Sequence, residues 1–218
     1  MARSAESVHA VIKAYDVRGV VGEHIDAAFV QDVGGAFARL VREDGATKVV
    51  IGYDMRASSP DLARAFADGV TAQGLDVVLI GLASTDQLYF ASGLFDCPGA
   101  MFTASHNPAK YNGIKLCRAG AKPVGQETGL ATIAAEVVDG VPAFDGAPGT
   151  SSSDTVPGAP SNAGTPSTTS AAIVERPVSC PTGFAPARHS LMPLYFAGLW
   201  LAVNIAPGQS NSPDAKYS

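Results

Sequence analysis

Two short β-branched runs of matching pattern constrain this chain most. Thr47–Gly52 reads TKVVIG and Leu75–Gly81 reads LDVVLIG. Each is apolar on both of its alternating faces and ends in glycine, as expected of a buried strand covered on two sides. Between them, Ser59-Pro60 predicts a helix start that runs to about Gln73. The serine can cap it, and proline suits the first turn. Ala63, Phe66, Ala67 and Val70 fall on one helical face.

The pattern continues outward. Ala27–Glu43 predicts a helix with Phe29, Val33, Phe37, Leu40 and Val41 on one side. Its Gly34-Gly35 pair costs about 1 kcal/mol per glycine against alanine. Asp86–Leu94 and Gln126–Val138 read as further helices, and Gly99–Thr103 and Gly113–Cys117 as further strands. Alternating elements of this kind imply an α/β fold, a mixed sheet sandwiched between helices. Ligands in such sheets bind at the carboxyl ends of strands. That singles out three loops: Tyr53–Ser59, Ala83–Gln87 and Ala104–Asn112.

The second part of the chain is different text. Residues 1–140 hold 28 of the 35 charged residues, whereas eleven of the fifteen prolines follow them. From Gly149 the sequence is rich in Ser, Thr, Pro, Gly and Ala, with little to offset the entropy of ordering. The expectation is a domain over 1–150 and a poorly ordered, low-complexity tail over 151–218. The apolar run Leu191–Val203 contains Pro193 and is shorter than the roughly 20 residues a membrane helix needs. No apolar leader follows the basic start, and Cys97, Cys117 and Cys180 form no disulfide framework. A net charge of −5 argues against non-specific binding to nucleic acid or anionic membrane. These features point to a cytoplasmic protein.

The third loop carries the chemistry-bearing residues, in TASHNPAKYNGIKL, 103–116. Ser105 follows a strand and is either a nucleophile or a turn serine. His106 adjoins it, and neighbouring side chains usually diverge, which makes His106 a poor base for Ser105. Tyr111-Asn112-Gly113 reads as a turn, after which Lys115 re-enters a strand. Lys115 either faces solvent at a sheet edge or projects into a cleft, where it could move a proton. Arg18, in a glycine-flanked turn, and Arg56, at a strand end, are surface ion-pair partners or walls of one anion pocket.

AYDVRG, GYDMRASSP and TASHNPAKYNGIK, in that order, resemble the N-terminal domain of the phosphohexomutases, the phosphomannomutase/phosphoglucomutase family, from about Ile12 to Gly149. The resemblance implies that Ser105 carries a phosphoryl group, with His106 and Asn107 beside it. It makes Lys115 the lysine that assists proton transfer, Arg18 a holder of phosphate with Tyr15 beside it, and Arg56 a further active-site cation. The implied reaction moves phosphate between O1 and O6 of a hexose phosphate through a hexose 1,6-bisphosphate that turns over in the site. Mg²⁺ is the implied metal, bridging the phosphate on Ser105 to carboxylates of a second domain.

That second domain's Asp-Gly-Asp-x-Asp-Arg run does not occur in this sequence, nor do counterparts of the later sugar-selecting and phosphate-binding loops. Ser84-Thr85-Asp86 also stands where the family usually has Thr-Pro. The expectation is therefore a phosphoserine domain followed by unrelated residues, as a shifted reading frame would produce, without turnover of its own. The other reading is a fragment that only binds phosphate or a partner.

Overall fold

The computed structural model describes residues 3–156. The expected tail therefore lies outside the described residues from 157 onward, as does the apolar run Leu191–Val203. In chain order the elements are α1 (Ala5–Val11), β1 (Val17–Val20), α2 (Ala27–Glu43), β2 (Lys48–Tyr53), α3 (Ser59–Ala72), β3 (Asp76–Leu82) and α4 (Thr85–Leu94). They continue with β4 (Gly99–Phe102), β5 (Tyr111–Arg118), β6 (Lys122–Pro123), a 3-10 turn (Gln126–Thr128), α5 (Leu130–Asp139) and β7 (Ser151–Ser153).

One sheet runs β1-β5-β4-β2-β3-β7, with β6 paired to β5. β4, β2, β3 and β7 are parallel, and β5 is antiparallel to both β4 and β1. Strand periodicity divides the core in two. Val49 and Ile51 pack with Phe37 of α2, Phe66 of α3 and Ile133 of α5. Val50, between them, joins Met101, Leu88 and Ala91 against α4. The expected sandwich of a mixed sheet between helices is what forms.

α2 has the limits its apolar spacing predicts, and Asp26 caps it by accepting from the Phe29 amide at 2.6 Å. Its glycines have a purpose that helix propensity does not reveal. A Cβ on Gly34 would strike the Phe66 carbonyl, and one on Gly69 would strike that of Gln31. The two helix backbones meet there, which no larger residue permits.

Four expectations are corrected. Arg18 sits in a strand, not in a turn, because β1 pairs with β5 and sets Arg18 opposite Gly113. The same pairing draws Tyr111, Asn112 and Gly113 into β5, and the chain reverses earlier, over 104–110. Ser59 is not a cap. It lies inside α3 with its hydroxyl turned to Asp54, and Ser58, the residue before the helix, makes no side-chain cap bond. The last helix is split at Gly129, whose φ of +151° interrupts it and where a Cβ would press on Leu40.

Residues just past 150 belong to the same sheet and core. Ser151–Ser153 adds to the sheet beside β3, and Val156 is buried against α4's side of the core. The connection is fastened by side chains remote in sequence. Gln73 donates to the Pro142 carbonyl at 2.8 Å, Arg42 lies over the Phe144 ring, and Asp76 accepts from the Thr150 amide at 2.7 Å.

Candidate functional site

Because β2, β3 and β4 are parallel, their carboxyl ends share one rim of the sheet. A pocket of about 950 Å³ opens there. All three expected loops line it: Asp54, Arg56 and Ser58 from the first, Ala83, Ser84 and Thr85 from the second, Ser105, Asn107 and Lys110 from the third. Leu82 and Met101 supply apolar wall.

Ser105 is exposed and has φ of +52°, the left-handed region that a non-glycine residue rarely adopts. Strain of this kind needs surrounding structure to hold it, and it clusters at functional sites. The hold is visible. The Ser105 amide donates to Thr103 Oγ1 at 3.0 Å, and the Asn107 amide and side chain both donate to the Ala104 carbonyl, at 3.0 and 2.8 Å. Ser105 Oγ stands 3.4 Å from His106 Nδ1, at the long end for a hydrogen bond. The adjacent pair, expected to diverge, therefore does approach.

Arg56 lies under this loop. Nη1 donates to the Pro108 and Tyr111 carbonyls, both at 3.0 Å, and Nη2 to those of Ser105 and Asn107, both at 2.8 Å. Nε is 3.3 Å from Asp54 Oδ2, an ion pair without hydrogen-bond alignment. The expected phosphate-binding cation thus turns its fork on the backbone that carries Ser105. Its side chain is only 12% exposed.

Lys115 is not at an edge. β5 lies between β1 and β4, and Lys115 pairs with Met101. Opposed residues of an antiparallel pair share a face, as do residues two apart on one strand. Lys115, Met101, Gly113 and Arg18 therefore lie on one face, the face of α4 and the pocket wall. Lys115 Nζ is 3.8 Å from Asp16 Oδ2, with both side chains partly exposed. Arg18 is half-buried and forms no ion pair among the described residues. Gly113 lets three backbones converge here, since a Cβ would press on the carbonyls of Val17 and Thr103. Tyr15 is 83% exposed beside Gly125. Ser105, Asn107 and Arg56 thus meet at the pocket, Lys115 and Arg18 share its face of the sheet, and Tyr15 and His106 are not among its lining residues.

Several participants went unread in the sequence. Asp54 stands inside GYDMRASSP, where only the arginine drew notice. Its Oδ1 accepts from the Ser59 hydroxyl at 2.7 Å and from the Arg56 amide at 3.0 Å. Asp16 in AYDVRG is the partner of Lys115. Lys110 lines the pocket as a cation on the Ser105 loop itself. Ser84 caps α4 through a reciprocal box with Gln87, so the loop that departs from the usual Thr-Pro still starts a helix.

The residues present do not by themselves make a magnesium site. Asp54, the carboxylate in the pocket wall, is committed to Ser59 and Arg56, and no three His, Cys, Asp or Glu side chains gather to hold an ion among the described residues. No helix among them is long and apolar enough to cross a membrane.

Comparison with known proteins identifies relatives over this region. Residues 9–140 match the family model described as phosphoglucomutase/phosphomannomutase, alpha/beta/alpha domain I. A phosphomannomutase of Vibrio cholerae serotype O1 is 40% identical over 126 residues, 56% of this chain and 27% of that protein. A phosphomannomutase of Klebsiella pneumoniae is 41% identical over 122 residues, 56% of this chain and 76% of that protein. The crystal structure of a phosphoglucomutase/phosphomannomutase family protein from Burkholderia thailandensis superposes with a TM-score of 0.62 at 33% identity, covering 71% of this chain and 34% of that one. The chain spans about a quarter of the length of the Vibrio relative.

Proposed function

The chain belongs to the phosphoglucomutase/phosphomannomutase family, and on that premise we propose that it holds the phosphoserine domain of a cytoplasmic hexose-phosphate mutase. The observation that carries the reading is Ser105, exposed in a strained backbone conformation on the wall of a pocket at the carboxyl ends of three parallel strands.

Phosphoryl transfer asks for alignment and for charge stabilisation around the moving group. In the proposed first step the Ser105 Oγ–P bond breaks and a P–O bond forms to a hexose phosphate hydroxyl. The proton leaves that hydroxyl, and one arrives on Ser105 Oγ. The bisphosphorylated sugar turns, and the reverse step returns the other phosphoryl group to Ser105. Lys115, paired with Asp16, is the proposed proton carrier. Arg18 and Lys110 are the proposed cations toward phosphate oxygens, because neither has an ion-pair partner among the described residues. Tyr15, His106 and Asn107 are proposed to bound the sugar phosphate. Mg²⁺, when bound, would neutralise phosphate charge, with carboxylates from outside the described residues.

A coupled mutase assay with Mg²⁺ and glucose 1,6-bisphosphate tests this. The account expects negligible turnover by the chain alone, for want of an Asp-Gly-Asp-x-Asp-Arg run in its sequence. Turnover restored by adding the remaining domains of a relative and abolished by Ser105→Ala would support it. Restored turnover that survives Ser105→Ala would refute it. Persistent silence together with phosphate binding would favour the alternative, a chain that binds phosphate without moving it.

A further inference from the structure

Arg56 is the most fully hydrogen-bonded cation near Ser105 among the described residues, and neither of its terminal nitrogens is left for a substrate. Its four terminal N–H bonds go to three carbonyls of the loop, those of Ser105, Asn107 and Pro108, and to that of Tyr111 where β5 begins. The guanidinium is itself anchored from behind. Asp54 Oδ2 lies at 3.3 Å from its Nε, and Asp54 Oδ1 receives the Ser59 hydroxyl at 2.7 Å. Ser59 in turn accepts from the fully buried Asn112 at 3.0 Å, so the chain of contacts returns to the strand that leaves the loop.

The carbonyl directions have a consequence for the amides. There are no cis peptide bonds among the described residues, and in a trans peptide the N–H points opposite to the C=O before it. With the Ser105 carbonyl drawn onto Arg56, the His106 N–H is turned to the other side. With the Pro108 carbonyl drawn in, the Ala109 N–H is turned out likewise. Neither amide has a hydrogen-bond partner among the described residues. Both are left free to donate to an anion, although the Asn107 N–H between them is held by the Ala104 carbonyl and Pro108 has none.

We propose that Arg56 is a positioning residue that never touches phosphate: it holds the loop carbonyls inward and thereby presents the His106 and Ala109 amides to the phosphoryl group on Ser105. The inference rests on the reading of Ser105 as the phosphoryl carrier. It inverts the direct role that an arginine at this position suggests.

The full chain as wild type, Arg56→Ala and Arg56→Lys is supplied with Mg²⁺, the remaining domains of a relative and glucose 1,6-bisphosphate, and the gain of one phosphoryl group is followed by intact mass over time. Loss of alignment lowers the saturating rate by about 100-fold in Arg56→Ala, while the half-saturating sugar concentration stays within a few-fold. Amide exchange over 105–111 accelerates in the same variant, and free guanidinium ion restores part of the rate. Arg56→Lys, milder for folding, falls between the two because one ammonium cannot hold four carbonyls. A half-saturating concentration that climbs at unchanged rate would make Arg56 a direct phosphate ligand and overturn the proposal. So would an Arg56→Ala protein phosphorylated as fast as wild type. A wild-type chain that takes up no phosphoryl group overturns the reading of Ser105 instead, and exchange over 105–111 then reports on the clamp alone.

Discussion

Asn112 places its side-chain nitrogen 3.0 Å from Ser59 Oγ, both residues being wholly shielded from solvent. The same nitrogen donates to Ser58 Oγ at 2.8 Å, and the amide oxygen accepts from the Gly113 N–H at 2.8 Å. One side chain thus ties the first residues of β5 to the start of α3. Asn112→Ala leaves buried polar groups with fewer partners, a cost of about 1–3 kcal/mol. Urea unfolding of the two proteins measures it, and a change confined to experimental error would show that water replaces the amide.

Gly34 and Gly69 give a prediction whose sign opposes propensity. Alanine in a helix interior is worth about 1 kcal/mol over glycine where space allows. Here the added methyl would meet the carbonyl of the facing helix at either position. Gly69→Ala should therefore destabilise, by about 1–3 kcal/mol as in other overpacked cores. A raised melting temperature would mean that α2 and α3 do not approach as closely as described.

Lys115 and Asp16 separate stability from chemistry. Their ion pair is long and partly exposed, at 3.8 Å, so its removal should cost under about 1 kcal/mol. Lys115→Met should leave the unfolding midpoint nearly unchanged. If Lys115 moves a proton, phosphoryl uptake by Ser105 should fall by about 100-fold or more. A large loss of stability with undiminished uptake would make Lys115 structural.

Cys97 predicts a pH dependence. Burial pushes its thiol from the ordinary 9.0 up to about 11, against a smaller opposing pull from Lys48. Burial raises the neighbouring Cys117 thiol too. The folded pKa is the higher one, so the contribution is whole below the unfolded value and is lost as pH climbs through the folded value. The urea midpoint should fall between about pH 9 and 11, and Cys97→Ala should fall less steeply. A slope identical in the two proteins would show that other groups cause it.

The elements readable from the sequence are those set by local spacing. α2 matches its apolar stripe to the residue, and β2 and β3 match their β-branched runs closely. What could not be read depends on partners distant in the chain. Arg18 looks like a turn residue until β5 supplies a strand beside it, ninety-odd residues later. Ser151–Ser153 has no strand propensity to speak of and joins the sheet because β3 offers an open edge and Asp76 holds Thr150. Gly34 reads as a cost because its benefit lies on another helix.

The candidate site divides the same way. Ser105, Asn107 and the three loops were legible because strand ends on a parallel sheet share a rim. The contacts of Arg56 and Asp54 were not, since a charged residue at a strand end looks alike in sequence whatever lies opposite it.

The central claim is that Ser105 Oγ carries the phosphoryl group. Intact-mass measurement of the full chain after incubation with glucose 1,6-bisphosphate, Mg²⁺ and the remaining domains of a relative tests it most directly. The account predicts a species heavier by one phosphoryl group that is absent in Ser105→Ala, with peptide mapping placing it within 104–110. A chain whose mass never changes, or one that gains the same mass with alanine at 105, would contradict it.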